Sequence, residues 1–387
     1  AGIKYKNRTD MALVYTESPA VCAGTFTTNV VKAAPVWWDK EIVESKKDVH
    51  AVVLNSGIAN ACTGGEGKEI NEYMASQIAE ALGVSTKEVL TASTGVIGMQ
   101  IKKEPLQKGA KLLKDALADT KEAGLLAAKA IMTTDTVPKE AAASFEVDGV
   151  TVTVGGMSKG FGMIHPNMAT TLNFITTDCA ISEVMLQAAL SDIVQITYNC
   201  LSIDGDTSTN DMVVLMSNGL AENNEIVEES VEYEIFKKAL YEVMANLTKM
   251  LAKDGEGATK LIECTVSGAD KRDTAITVAK SVVCSTLFKA AIFGEDANWG
   301  RILCAVGYAD AKFDINKVDV DLKSEFGTVA VCRNGAGVEF SEEKAAEILS
   351  SDEIYVLINL NDGSKEATAW GCDLTYDYVR INGDYRT

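Results

Sequence analysis

A threonine is a weak nucleophile until a base takes its proton. One arrangement needs no second side chain: the threonine becomes the first residue of a chain and its own α-amine serves as the base. The stretch Gly155-Gly-Met-Ser-Lys-Gly-Phe-Gly-Met-Ile-His-Pro-Asn-Met-Ala-Thr-Thr-Leu-Asn-Phe-Ile-Thr-Thr-Asp178 holds the residue types for this. Glycines at 155, 156, 160 and 162 predict a flexible loop. Pro166 makes a stiff corner and pushes His165 towards extended geometry. Thr170 then stands at the mouth of the apolar run Leu172 to Ile175, which reads as a short buried strand. Small Ala169 would let Thr170 attack its own preceding carbonyl, and a cut at Ala169–Thr170 would expose an α-amine of reference pKa about 7.7–8.0. With only His50 and His165 in the chain, a histidine triad has little to draw on. The same local pattern also fits an ordinary Ala-Thr step before a strand, since short motifs match by chance.

Other groups could serve such a nucleophile. Ser93-Thr94-Gly95 is either a plain polar turn or a place where a hydroxyl and a backbone N–H point together, as an oxyanion hole requires. Lys159 is either a solvated turn lysine or a cation that binds a substrate carboxylate and favours a neutral amine on Thr170. Glu256, in Lys253-Asp-Gly-Glu-Gly-Ala-Thr-Lys260, is either a solvated acid or an acceptor for a substrate ammonium. Two tempting readings fail. Gly155 to Gly162 lacks the Lys-Ser/Thr of a P-loop and the third glycine of a dinucleotide loop. Asp204-Gly-Asp-Thr-Ser-Thr-Asn-Asp211 lacks an EF-hand's sixth-position glycine (Thr209) and twelfth-position glutamate (Leu215), so it reads as a turn rich in side-chain-to-backbone bonds.

These residues need a scaffold, and the chain alternates strands and helices. In the first half, Ala51 to Asn55 reads as a buried strand, Ile70 to Leu82 as a helix ending at Gly83, and Val89 to Gly98 as a strand and tight turn. Pro105 opens a helical pair reaching Ile131, and Phe145 to Val154 forms a hairpin around Asp148-Gly149. Beyond Leu172, Ser182 caps a helix to Val194, and Met212 to Met216 is a strand. Phe236 to Leu251 is the clearest amphipathic helix, stopped at Asp254-Gly255. Leu261 to Val266 is a strand and Ala269 to Val283 a helix. Val318 to Leu322 pairs with Thr328 to Cys332, Ser341 starts a helix, and Ile354 to Leu360 is a strand. This pattern fits a layered α/β sandwich better than a doubly wound sheet.

Composition bounds the partners. At 387 residues the chain can hold a sizeable core, and no apolar run approaches a membrane span. The start, Ala1-Gly-Ile-Lys-Tyr-Lys-Asn-Arg, lacks a signal peptide's apolar region and an initiator methionine, as expected after trimming or with a start further upstream. A net charge of −19 argues against nucleic acid and anionic membrane as partners. The nine scattered cysteines contain no C-x-x-C pair, which points to a reduced cytoplasmic protein without a zinc site. Cys22, Cys179, Cys284 and Cys304 stand in apolar surroundings and are expected in the core.

Taken together, AGIKYKNRTD, TNVVKAAP, NSGIANACTG, STGVIG, AIMTTDTVPK, KGFGMIHPNMATTLNFITTD, DGDTSTND, KDGEGATK, GEDANWGR and the terminal YVRINGDYRT resemble the ornithine acetyltransferase (glutamate N-acetyltransferase) family of arginine biosynthesis over nearly the whole chain. The resemblance implies an α-β-β-α sandwich of the N-terminal-nucleophile-like (ornithine acetyltransferase/aminopeptidase) type. It implies self-cleavage at Ala169–Thr170 into an alpha chain, 1–169, and a beta chain, 170–387, which assemble as a heterotetramer of two of each. Thr170 would be the nucleophile, with Thr94 (hydroxyl) and Gly95 (backbone N–H) as oxyanion donors. Thr133, Lys159, Thr170, Glu256, Asn382 and Thr387 would bind substrate. The substrates implied are N-acetylornithine and glutamate, with acetyl-CoA as a further acetyl donor and no cofactor. Against the family pattern, Phe161 and His165 replace small residues and Thr171 replaces methionine; His165 becomes a candidate assistant in proton transfer. Two other readings remain: a self-processing hydrolase or aminopeptidase of related fold, and an unprocessed binding protein that uses the glycine loop as a clamp.

Overall fold

The computed structural model describes residues 1–165 and 171–384. In chain order the strands of the first half are β1 (Met11–Phe26), β2 (Val49–Ile58), β3 (Val89–Val96), β4 (Lys139–Val147), β5 (Val150–Lys159), β6 (Leu172–Thr177), the two-residue β7 (Leu201–Ser202) and β8 (Met212–Ser217). The helices among them are α1 (Ala34–Glu44), α2 (Gly64–Leu82), α3 (Lys103–Asp115), α4 (Lys121–Ile131) and α5 (Glu183–Ile196). The second half adds α6 (Val231–Lys253), β9 (Leu261–Ala269), α7 (Arg272–Cys284), α8 (Thr286–Phe293), α9 (Trp299–Gly307), β10 (Asp319–Ser324), β11 (Gly327–Arg333), β12 (Ala336–Gly337), α10 (Glu342–Leu349), β13 (Glu353–Asn359), β14 (Lys365–Cys372) and α11 (Tyr376–Asp384).

The expected layered α/β architecture is present. One seven-stranded sheet runs β3-β2-β1-β8-β6-β5-β4 and a second runs β12-β11-β10-β13-β9-β14-β7. Strand alternation sends neighbouring residues to opposite faces. In β2, Val52 and Leu54 pack with α1 and α4, whereas Ala51 and Val53 pack with α2 and α3. In β8, Met212, Val214 and Met216 join the α1/α4 side, while Val213 and Leu215 face α5 and α6. Helix α6 packs on β4 and β5 of the first sheet and also on β14 and β9 of the second, so one core joins the sheets.

Three sequence readings need correction. Gly155 and Gly156 lie inside β5, paired with β4 and β6, rather than in a loop. A Cβ on Gly156 would meet Ile175 at 3.1 Å and Leu247 of α6 at 3.3 Å, so this glycine serves close packing. The helix read from Ala269 starts at Arg272, because the strand before it continues through Ala269. Cys304 is exposed and Cys284 half-buried, so neither is a core cysteine. Cys22 and Cys179 are buried as expected, and burial pushes the Cys179 and Cys200 thiols up to about 12. β1 escaped the sequence reading because polar Thr16-Glu-Ser-Pro19 interrupts its alternation. In the structure this is a register shift between Tyr15 and Ala20, and one strand pairs with β2 at Met11 to Tyr15 and again at Ala20, then with β8 from Val21.

Candidate active site

The site gathers where β3, β5, β6 and β8 end or begin. Thr94 and Gly95 are near the end of β3, and the preceding Ser93 anchors the turn. Its hydroxyl donates to Asn55 Oδ1 at 2.7 Å and its carbonyl accepts from Asn210 Nδ2 at 2.8 Å. Gly95 has φ +127°, and a Cβ there would lie 2.2 Å from the Gly57 carbonyl carbon on β2. Only glycine fits, by conformation and by space.

Lys159, the last residue of β5, is buried rather than a solvated turn lysine. Its ammonium donates to Thr133 Oγ1 at 2.9 Å and to Thr94 Oγ1 at 3.4 Å. Behind it, Asp135 Oδ1 accepts from Gly160 N–H at 2.8 Å and from Lys139 Nζ at 2.9 Å, and Lys139 continues to Asp254 at 2.6 Å. Burial alone would raise the Asp135 carboxyl. The Lys159 and Lys139 ammoniums and the hydrogen bonds outweigh it and hold Asp135 well below the usual carboxylate range.

Glu256 follows α6. Its Oε2 accepts from Asn382 Nδ2 of α11 at 2.6 Å, and its backbone N–H donates to the Phe161 carbonyl at 2.9 Å. A Cβ at Gly162 would meet the Glu256 carboxyl carbon at 2.4 Å, which explains the glycine on this side of buried Phe161. Burial raises the Glu256 carboxyl, offset in part by Asn382. The C-terminal helix reaches the site because Thr375, just before it, donates its hydroxyl to the Gly257 carbonyl at 2.6 Å.

Thr94, Gly95, Thr133, Lys159, Glu256 and Asn382 all line one cavity of about 330 Å³, together with Thr171. The proposed nucleophile Thr170, its neighbour Ala169, and Thr387 lie outside the described residues. His165 does not line the cavity; its Nδ1 faces Ser202 Oγ at 3.1 Å and Cys284 Sγ at 3.5 Å. Burial, helped by Lys280, lowers its pKa.

Sequence reasoning passed over Asp135, Lys139, Asn210 and Asp211. Asp135 had a signal: it is the one acid in the threonine-rich loop 130–139. Asp211 and Asn210 belong to the turn read as rich in side-chain-to-backbone bonds, and that reading holds. Asp204 accepts from the backbone N–H groups of Met163, Ile164 and Asp206, and Asp211 from that of Ser208. The turn also walls the cavity with Ser208 to Asp211. Burial raises the Asp211 carboxyl well above its ordinary value despite bonds from Ser208. Among the described residues, no group of three His, Cys, Asp or Glu is placed to hold a metal.

A model of the ArgJ family matches residues 1–387. The chain belongs to the ArgJ family. It is 50% identical over its full length to the arginine biosynthesis bifunctional protein ArgJ 1 of Clostridium acetobutylicum, covering 94% of that protein. It is 50% identical to the ArgJ of Caldanaerobacter subterraneus subsp. tengcongensis, again over its full length and 95% of that chain. Among solved structures, the arginine biosynthesis bifunctional protein ArgJ of Bacillus halodurans is 46% identical with a TM-score of 0.53, over 56% of this chain and 100% of that one. In this ArgJ-family chain, the cavity combines hydroxyls, a buried ammonium and a carboxylate beside the start of β6. That set can bind an amino acid by both charged ends and leave hydroxyl and amide donors for a developing oxyanion.

Proposed function

We propose that this ArgJ-family chain is an N2-acetyl-L-ornithine:L-glutamate N-acetyltransferase of cyclic arginine biosynthesis, activated by its own cleavage between Ala169 and Thr170. The observation that carries this reading is convergence. Six positions spread from 94 to 382 line one cavity with Thr171, the residue after the proposed nucleophile. The Thr170 hydroxyl attacks the acetyl carbonyl of N-acetylornithine while the freed α-amine takes its proton. The Thr94 hydroxyl and Gly95 N–H stabilise the tetrahedral oxyanion, and ornithine leaves with a proton. The α-amine of glutamate then attacks the acetyl-Thr170 ester, giving N-acetylglutamate and restoring the threonine. Lys159 takes the substrate carboxylate; Glu256, held by Asn382, takes the ammonium; Thr133 and Thr387 complete the binding set. Acetyl-CoA as a second donor rests on the bifunctional relatives, and the enzyme is read as cytoplasmic, cofactor-free and a heterotetramer of two alpha and two beta chains.

The sheet explains how two such chains stay together. Strand β6, just beyond the cleavage point, is hydrogen-bonded to β5 from before it, and β8 to β1. Cutting the connection leaves this sheet built from both pieces.

Intact mass of the denatured protein tests the activation first. Two fragments, the larger beginning at Thr170, are expected in place of one 41.3 kDa chain. Transfer assays follow, with acetylornithine and then acetyl-CoA as donor, and ping-pong kinetics are expected. Thr170→Ala should abolish cleavage and transfer, and a Thr170→Ala protein still making N-acetylglutamate would sink the mechanism. Acetylornithine hydrolysis that ignores glutamate would point to a hydrolase instead.

A further inference from the structure

Lys159 is the single lysine or arginine among the described residues lining the cavity, and it ends a line of buried charges. Asp254 contacts Lys139, Lys139 contacts Asp135, and Asp135 Oδ2 lies 3.7 Å from the Lys159 ammonium. The side chains of Lys139 and Asp135 are 0% exposed, Asp254 6% and Lys159 11%, so only the last opens towards the site. Asp135 is itself fixed by N–H bonds from Gly160 and Thr133, which leaves it little freedom to follow a moving lysine.

An ammonium has three N–H donors and no acceptor. A threonine hydroxyl that accepts from it has its oxygen lone pair engaged there, and its own O–H bond must point elsewhere. Thr94 and Thr133 both accept from Lys159, and both line the cavity. We propose that Asp135 is a positioning residue, holding the Lys159 ammonium against the oxygens of Thr94 and Thr133 so that both hydroxyls turn their protons into the cavity. This rests on the acyl-transfer reading of the same site. It adds that the oxyanion donor is set in advance by a charge the substrate never touches. Without the Asp135 charge, Lys159 swings further into the cavity, towards the substrate carboxylate it binds, and the two hydroxyls it leaves rotate freely.

The test is Asp135→Asn, which keeps the shape and an oxygen for Gly160 N–H. Measured on cleaved enzyme, kcat for acetyl transfer should fall by roughly 10- to 100-fold, the scale of a small misplacement of a catalytic group. KM for either substrate should move less than about threefold, because the loss falls on the transition state. A crystal structure of the variant should show the Lys159 ammonium withdrawn from both hydroxyls. An unchanged kcat, or an ammonium still on both oxygens, overturns the proposal. If the variant does not fold, Asp135→Glu replaces it: the carboxylate is kept but displaced by one methylene, so kcat should again fall roughly tenfold with KM nearly unmoved, and an unchanged kcat overturns the proposal. A wild-type enzyme that transfers no acetyl group marks failure of the functional reading. The ammonium's place in the variant crystal then decides the positioning claim on its own.

Discussion

Two buried aspartates of this molecule behave in opposite ways. Asp39, on α1, is fully buried; its Oδ1 accepts from Thr91 N–H at 2.8 Å and from Thr91 Oγ1 at 3.2 Å, while its Oδ2 has no partner among the described residues. Burial raises its carboxyl well above the ordinary range, and the Thr91 bonds offset this only in part. Asp135 is equally removed from water, yet two lysines hold it well below that range. Burial pushes a carboxyl up, and an adjacent cation or enough hydrogen bonds to the charged form bring it back down. The lowered aspartate backs the cavity, whereas the raised one sits where α1, α2 and β3 meet and Asn71 Nδ2 donates to the same Thr91 hydroxyl at 3.0 Å.

The contrast breaks most visibly at Lys139. Lys139→Met takes the buried cation from Asp254 and leaves Asp135 with Lys159 alone at 3.7 Å, and urea unfolding at pH 7 should show a loss of about 3–5 kcal/mol. Transfer should fall with it, since Lys159 loses its anchored partner. Asp135 is depressed, so its contribution is present above the unfolded carboxylate pKa of about 4 and is lost as pH falls through its folded value. The gap between wild type and Lys139→Met should therefore narrow below pH 4; a constant gap would mean that Asp135 is not charged. Thr91→Val comes next. It removes a donor to Asp39 and the acceptor of Asn71, at about 1–3 kcal/mol of stability, with kcat unchanged because no cavity group moves. A fall in kcat on that substitution would join the two regions that the comparison separates. Asp39→Asn should have the smallest effect, within about 1–2 kcal/mol. An acid raised on folding destabilises as pH climbs past about 4, so this variant should gain on wild type as pH rises above that value. A stability difference that ignores pH would show Asp39 to be ionised after all.

Much of this was legible in the residues. Apolar periodicity placed α2, α5, α6 and the β4–β5 hairpin, whose turn residues Asp148 and Gly149 have φ 53° and 78°. The site positions could be named because Ser93-Thr94-Gly95, Lys159 and Glu256 stand in short polar or glycine-rich breaks between apolar runs, and the family resemblance added Thr133 and Asn382. Less legible was β1, because its hydrogen bonds run to β2 and β8, some 40 and 190 positions away in sequence, and its polar middle hides one strand. Gly155 and Gly156 looked like loop for a similar reason: a glycine that admits a neighbouring helix and one that permits a turn have the same letter.

What the sequence determined by itself was the local chemistry: which hydroxyls, amines and carboxylates exist, where the chain turns, and which faces are apolar. These follow from side-chain type and short-range spacing. What only the tertiary structure decided was which charges meet. Lys139 contacts Asp254 across 115 positions and Asn382 reaches Glu256 across 126, and no local pattern encodes such pairs. The same holds for Asp39 and Asp135, identical in type and both buried, one with its carboxyl pushed up and one with it held down. Their difference lies in the distance to an ammonium, and only the folded chain sets that distance.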